Sequence, residues 1–324
     1  MWGLGQMPPL LNVQELVVQY STLRGEVKAV NDVSFSLETA ATLGLVGESA
    51  CGKSTLGFSI LRIVPPPGRT VAGKIELQGV NLLNLPLEEM RRIRGGQVSM
   101  IFQDPMTSLN PLMRIRDHFI ELFQTHDPSI KKEDALGRTT KLFDALGIAG
   151  DRIEDYPHQF SGGMRQRVMI GLALALDPKL VIADEPTTSL DVIVEAQVLE
   201  LLKLLKEKHR LTLILITHNI GIVAEMTDRV AVMYAGQIVE IGPTGDMFGD
   251  PLHPYTKGLL ESAPNVLHPE QSMRPIPGNP PDLVSPPAGC KFHPRCPKVF
   301  KPCPLREPLP ISQGSRLVAC HLYD

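Results

Sequence analysis

No apolar run in this 324-residue chain reaches the roughly 18–20 residues that span a bilayer. The stretch from Val168 to Leu176 covers about half that length. The first residues lack a basic region followed by an apolar core, so no secretory signal is expected and the chain is placed in the cytosol. Charge is balanced: 32 Lys and Arg against 35 Asp and Glu leave −3, which gives no general attraction to nucleic acid or anionic lipid. Cysteine pairs two residues apart, the hallmark of zinc ribbons, are missing. The five cysteines are not expected to form disulfides in a cytosolic chain. What remains is an ordinary globular composition, 43% hydrophobic and 21% charged. It leaves room for one large domain with an appendage, or for two modest domains.

Gly47-Glu48-Ser49-Ala50-Cys51-Gly52-Lys53-Ser54 fits the phosphate-loop pattern of Gly, four residues, Gly, Lys and then Ser or Thr. Leu43, Leu45 and Val46 read as a buried strand entering the loop, and Thr55 to Ile63 as the helix leaving it. In that setting successive backbone N–H groups form an anion-binding nest at a helix N-terminus. Lys53 then adds a point charge against terminal phosphates, and the Ser54 hydroxyl suits magnesium. No long internal repeat is visible, so one nucleotide domain is expected.

Short alternating runs such as Val13, Leu16, Val18 and Val33, Phe35, Leu37 predict antiparallel strands ahead of the loop. Tyr20 closes the first run, placed either to stack on a nucleotide base or to half-bury in the strand. Lys74 to Leu77 and Val98 to Phe102 read as further strands, and residues 112–176 as mostly helical. Leu180-Val181-Ile182-Ala183 predicts a buried strand delivering Asp184 and Glu185 to its C-terminal end. Val194, Val198, Leu201, Leu202 and Leu205 mark one face of the next helix, and Leu213 to Ile216 a strand ending at Thr217-His218. Strands alternating with helices give an α/β fold with a mostly parallel sheet, its ligand off the C-terminal strand ends. Gln103, Asp184, Glu185 and His218 all fall there. Past about residue 245 the prolines crowd, and an irregular extension is expected apart from a short helix at Tyr255 to Glu261.

A strand ending in two acids suits nucleotide hydrolysis, Asp184 for magnesium and Glu185 for the attacking water. Gln103 can serve both metal and water, and His218 can reach a terminal phosphate. Taken alone, a His after a strand is more often a capped structural histidine and two adjacent acids are usually a solvated turn; at the same sheet edge as a phosphate loop, the functional reading of both prevails. Ser161-Gly162-Gly163 before an apolar helix offers a second exposed helix N-terminus, either an anion site or a plain N-cap.

In order and spacing these residues resemble the ATP-binding subunits of ABC transporters over about residues 11–245. The phosphate loop, Gln103 as Q-loop, Ser161-Gly162-Gly163 as signature, Asp184-Glu185 as Walker B with its adjoining acid, Ser189-Leu190-Asp191 as D-loop and His218 as switch histidine carry the resemblance. It implies a phosphate-loop (RecA-like) NTPase core with an antiparallel β subdomain and a helical insertion at about 104–176. It also implies that Tyr20, Gly47 to Thr55, Ser161, Gly162, Gly163 and Asp191 serve ATP. Magnesium then falls to Ser54, Gln103 and Asp184, and catalysis to Glu185, His218 and Gln103. Two such domains pair head to tail, each signature capping the other's ATP.

Gln103-Asp104-Pro105-Met106-Thr107-Ser108-Leu109-Asn110-Pro111, Asp250 to Thr256 and Gly289 to Pro297 narrow the resemblance to oligopeptide/dipeptide importer ATPases. That family implies a second ATPase subunit, identical or related, two membrane permease subunits and an external solute-binding protein. Residence is then peripheral, on the cytoplasmic side of the membrane. The departures are Ala50 where Gly is usual, and Phe160 and Met164 where Leu and Gln flank the signature. Residues 1–245 are expected to form the ATP-binding domain and 246–324 the extension.

Within that extension Cys290, Cys296, Cys303 and Cys320 are separated by five, six and sixteen residues, which points to metal and away from disulfides. Iron–sulfur clusters accept such varied spacing; zinc and metal-free thiols stay open. In the importers that the tail resembles, the four cysteines ligate a four-iron four-sulfur cluster, and the resemblance extends that to these positions. The rival reading is a soluble ABC-type ATPase acting on nucleic acid or ribosomes. It favours two fused domains and a basic surface, which one domain and a net charge of −3 do not match.

Overall fold

The computed structural model describes residues 8–104, 108–188, 190–262 and 274–324. Pro105, Met106, Thr107 and Ser189, singled out above, lie outside the described residues. The chain divides into two compact units, Met1–Asn84 with Leu215–Asp324, and Leu85–Ile214.

In the first unit, Leu11–Thr22 and Gly25–Leu37 form a long antiparallel hairpin, and Leu11–Thr22 pairs on its other side with Gly68–Leu77. Leu11, Val13, Leu16, Val18, Val30 and Val33 are almost wholly buried. The expected alternation therefore does its work on one face. Register shifts between Val13 and Leu16 mark a bulge, where Glu15 takes a left-handed φ of 47°. A second sheet runs in the order Ile311–Gln313, Arg316–Val318, Gln237–Pro243, Arg229–Tyr234, Thr42–Val46. The pairing of Thr42–Val46 with Arg229–Tyr234 is parallel, in the register Leu45 to Ala231. All five residues of Thr42–Val46 are buried, as a strand covered on both faces requires. The extension is thus not wholly irregular: its hairpin Ile311–Gln313/Arg316–Val318 adds to the edge of this sheet through Gln237–Pro243.

The same extension folds Asp250 to Ser262 over a fully buried carboxylate. Glu240 accepts the backbone N–H groups of Leu252 and His253, both at 2.9 Å. His253 Nδ1 in turn accepts the N–H of Tyr255 at 3.0 Å, at the start of the helix Pro254–Ser262. Burial pushes the His253 ring down to about 3, so it stays neutral while an unfolded histidine protonates near 6.5. The unfolded chain then binds the extra proton between those two values. The stability His253 contributes is present above about pH 6.5 and falls as pH drops below it, by on the order of 1 kcal/mol per unit. His253→Asn, whose Oδ1 keeps the acceptor, is expected to flatten the slope of unfolding free energy between pH 6.5 and 5. Denaturant titrations at both pH values check this.

In the second unit Val98–Ile101 and Leu180–Asp184 pair in parallel, Met100 opposite Ile182, and every residue of both is buried. The helices Ile115–His126, Lys132–Ala145 and Gly162–Leu174 pack on one another. Phe119 and Phe143 meet edge to face at 5.8 Å in that core. The helix Val192–His209 buries Val198, Leu202 and Leu205, part of the face its spacing predicts. The strand Thr212–Ile216 starts in this unit, Thr212 N–H donating to Lys179 O, and its last two residues belong to the first. Among the described residues no helix is long and apolar enough to cross a membrane.

Candidate functional site

Phosphate-loop geometry is built in the first unit by a strand that ends abruptly. After Val46 the chain turns at Gly47, with φ of 153°, and reaches the helix Lys53–Ile60 through Gly52, with φ of 107°. A Cβ on Gly47 would collide with Met233 O, and one on Gly52 with Ala29 O, so the loop lies pressed on two strands. Cys51 is buried beneath it, its thiol pushed up by burial, and its carbonyl accepts the N–H of Gly236 at 3.0 Å. The Lys53 side chain is only 6% exposed and donates from Nζ to Gly47 O and Glu48 O, both at 2.9 Å. Ser54 and Thr55 lie half-buried in the first helical turn, and Thr55 Oγ1 is 3.4 Å from Tyr20 Oη. His218 is exposed just past the strand Thr212–Ile216. Thr217 before it holds Leu45 O, and Asn219 after it caps the next helix through Gly221 N and Ile222 N.

Ala50 occupies a left-handed φ of 61°. A Cβ there costs about 1–2 kcal/mol, which is why glycine suits this position, while glycine's looser unfolded chain returns about 0.4–1 kcal/mol of that. Ala50→Gly is therefore expected to raise unfolding free energy by about 0.5 kcal/mol and to preserve ATP affinity. A denaturant midpoint and a nucleotide titration check both.

The acids form a separate constellation in the second unit. Asp184 is 3% exposed at the end of its strand, and Glu185 follows in a left-handed φ of 45°. Strain of that kind on a non-glycine residue marks a position the surroundings over-determine. Glu185 Oε2 accepts from Gln103 Nε2 at 3.0 Å and from Thr188 Oγ1 at 2.9 Å. Thr187 Oγ1 donates to Glu195 at 2.8 Å, fixing the turn to the following helix. Asp191 Oδ1 accepts from Ile193 N and Val194 N, at 3.1 and 3.0 Å, as the N-cap of that helix. Ser161 Oγ likewise accepts from Met164 N at 3.3 Å, capping Gly162–Leu174. A Cβ on Gly163 would collide with Val194, so this glycine lets two helices meet.

Sequence pattern does not show the contacts of Thr188 and Glu195 or the approach of Gly163 to Val194, nor those of two residues of the extension. Tyr255 Oη accepts the backbone N–H of Glu48 at 2.9 Å, and Arg295 pairs with the Glu48 carboxylate at 2.7 and 2.9 Å. Their only sequence signal was membership in the two motifs shared with peptide importers, Asp250 to Thr256 and Gly289 to Pro297.

The expected iron–sulfur cluster, and zinc as its lesser alternative, are corrected by the structure. Among the described residues no group of three or more His, Cys, Asp or Glu is placed to hold a metal ion. Cys290, Cys296, Cys303 and Cys320 stand as free thiols around a cavity of about 10 Å³. That is the room a single water needs. Burial, with the neighbouring thiols, pushes Cys290 and Cys296 up, and Cys320 up to about 11. Close spacing in sequence brought the thiols together without making a ligand set.

Two family models match the chain: "ABC transporter" over residues 30–188 and "Oligopeptide/dipeptide transporter, C-terminal region" over residues 239–303. The chain is 46% identical over 317 residues to the oligopeptide transport ATP-binding protein OppD of Escherichia coli K12, covering 97% of this chain and 94% of that one. It is 47% identical over 322 residues to the dipeptide transport ATP-binding protein DppD of Bacillus subtilis 168, covering 98% and 96%. Among solved structures, a dimeric post-hydrolysis ATP-binding cassette bound to ADP and phosphate superposes with a TM-score of 0.63. At 23% identity over 72% of this chain and 98% of that one, it establishes the fold.

Proposed function

The chain belongs to the ATP-binding subunits of ABC transporters, in their oligopeptide/dipeptide branch, and from that premise we propose that it hydrolyses ATP to power import of peptides or similar small solutes. The observation that carries this reading is likeness to peptide-transport ATPases along 97% of the chain, extension included. A general nucleotide-binding fold needs no such extension.

By the same membership, Gly47 to Thr55 bind the phosphates of ATP, Lys53 countering the terminal charge. Tyr20 lies beside the base. Oxygen donors suit magnesium, and a strand-end carboxylate 3% exposed fits such a role; Ser54, Asp184 and Gln103 are its holders. Bound there, magnesium supplies charge neutralisation at the phosphates. Glu185, oriented by Gln103 and Thr188, takes the proton of the attacking water, and His218 contacts the terminal phosphate. Ser161, Gly162, Gly163 and Asp191 serve the nucleotide of a second ATPase subunit, so that ATP closes a dimer. Residues 1–245 form the ATP-binding part and 246–324 the extension. The partners are that second ATPase, two permease subunits and, beyond the membrane, a solute-binding protein, with this chain peripheral on the cytoplasmic side.

Affinity purification of the tagged chain from solubilised membranes tests the assembly. Recovery of two integral permease subunits and a second ATPase is expected. Recovery with ribosomes or nucleic acid, and without permeases, sinks it in favour of the soluble ATPase reading.

A further inference from the structure

We infer that the C-terminal extension sets the conformation of its own chain's phosphate loop, with Arg295 and Tyr255 as positioning residues for ATP binding. The inference rests on the reading of Gly47–Ser54 as an ATP site and deepens it.

Both polar ends of Glu48 are committed to the extension. Its backbone N–H goes to Tyr255 Oη at 2.9 Å, and its carboxylate to both terminal nitrogens of Arg295 at 2.7 and 2.9 Å. Neither partner is free to drift. Tyr255 is fully buried, its ring 4.5 Å from Tyr234 and 5.3 Å from Phe292. The Arg295 side chain is 6% exposed, donates from Nε to Pro277 O at 2.8 Å and from Nη1 to Tyr234 Oη at 3.3 Å, and lies over the Tyr234 ring. A planar fork held at so many points fixes a carboxylate in direction as well as distance. The carbonyls of Gly47 and Glu48 are the two that receive Lys53 Nζ. Fixing Glu48 from behind therefore fixes the backbone against which the phosphate-binding lysine rests.

Charge gives the contact a second consequence. The Glu48 side chain is 24% exposed and stands in a loop built for anions. Without Arg295 its charge is left uncompensated there, and removing one partner of a half-buried pair costs far more than removing both. Arg295 meets the phosphate loop through the Glu48 carboxylate, so its effect on ATP passes through Glu48.

The test is equilibrium binding of Mg-ATP to the purified full chain, with turnover at saturating ATP measured in the assembled transporter. Arg295→Met is expected to weaken ATP binding about 10-fold while saturated turnover stays within about 2-fold. Adding Glu48→Gln to it is expected to restore affinity to within about 3-fold of wild type. Arg316→Ala, which releases a different arginine of the extension from Asp250 O, is expected to leave affinity unchanged. Unchanged affinity in Arg295→Met overturns the inference. So does a loss that Glu48→Gln fails to rescue, or one that Arg316→Ala reproduces, since either means general unfolding of the extension. Failure of the wild-type chain to bind ATP overturns the ATP reading itself.

Discussion

Glu185→Gln is expected to cut ATP turnover at least ~100-fold, the span of a lost general base, while ATP still binds. The change is nearly isosteric, and the amide oxygen can still accept from Gln103 Nε2 and Thr188 Oγ1 as the carboxylate does now. The left-handed backbone at Glu185, with φ of 45°, asks no more of glutamine than of glutamate. What disappears is the negative charge that can take a proton from water. The variant is therefore expected to accumulate as an ATP-bound dimer, visible as an earlier-eluting species in gel filtration. Turnover within about 3-fold of wild type would remove Glu185 from the chemistry.

Lys53→Ala acts one step earlier, on binding. Lys53 carries the positive charge of the loop and holds the carbonyls of Gly47 and Glu48 with a nearly buried ammonium. A charged hydrogen bond is worth about 1.5–3 kcal/mol, and each 1.4 kcal/mol is a factor of about ten in affinity. Losing the contacts to phosphate, together with the two carbonyls left behind, is expected to weaken Mg-ATP binding at least ~100-fold. Lys53→Arg is not expected to rescue it, because the planar fork is too broad for a site where Cys51 Sγ lies 3.7 Å from Nζ. Fluorescent-nucleotide titration separates the three proteins. Retained affinity in Lys53→Ala would mean that nucleotide is held elsewhere.

The local grammar of the core is readable because it is local. A four-residue apolar run such as Leu180 to Ala183 is too short for a buried helix and fits a strand buried on both faces, which closes on Asp184 and hands Glu185 to the turn. The phosphate loop is a string of adjacent residues whose strand and helix flank it in sequence. The helix starts two residues earlier than its apolar pattern suggests, at Lys53, because Gly52 supplies the left-handed turn that opens it. Ser161 and Asp191 carry cap positions that hydrophobic spacing does not show.

Contacts that cross the sequence were not legible. Glu48 meets Tyr255 and Arg295 across 207 and 247 residues, and no periodicity encodes such a pair. The same limit explains the cysteines: four thiols between residues 290 and 320 read as a ligand set, whereas among the described residues no group is placed to hold a metal ion and the four stand as free thiols.

ATP hydrolysis by this chain is expected to drive solute import. Its most direct test is uptake of a labelled oligopeptide by cells deleted for the chain and complemented with wild type or Glu185→Gln. Uptake restored by the wild type and absent with the variant is the predicted result. Uptake that survives the deletion, or that the variant restores to the wild-type rate, contradicts it.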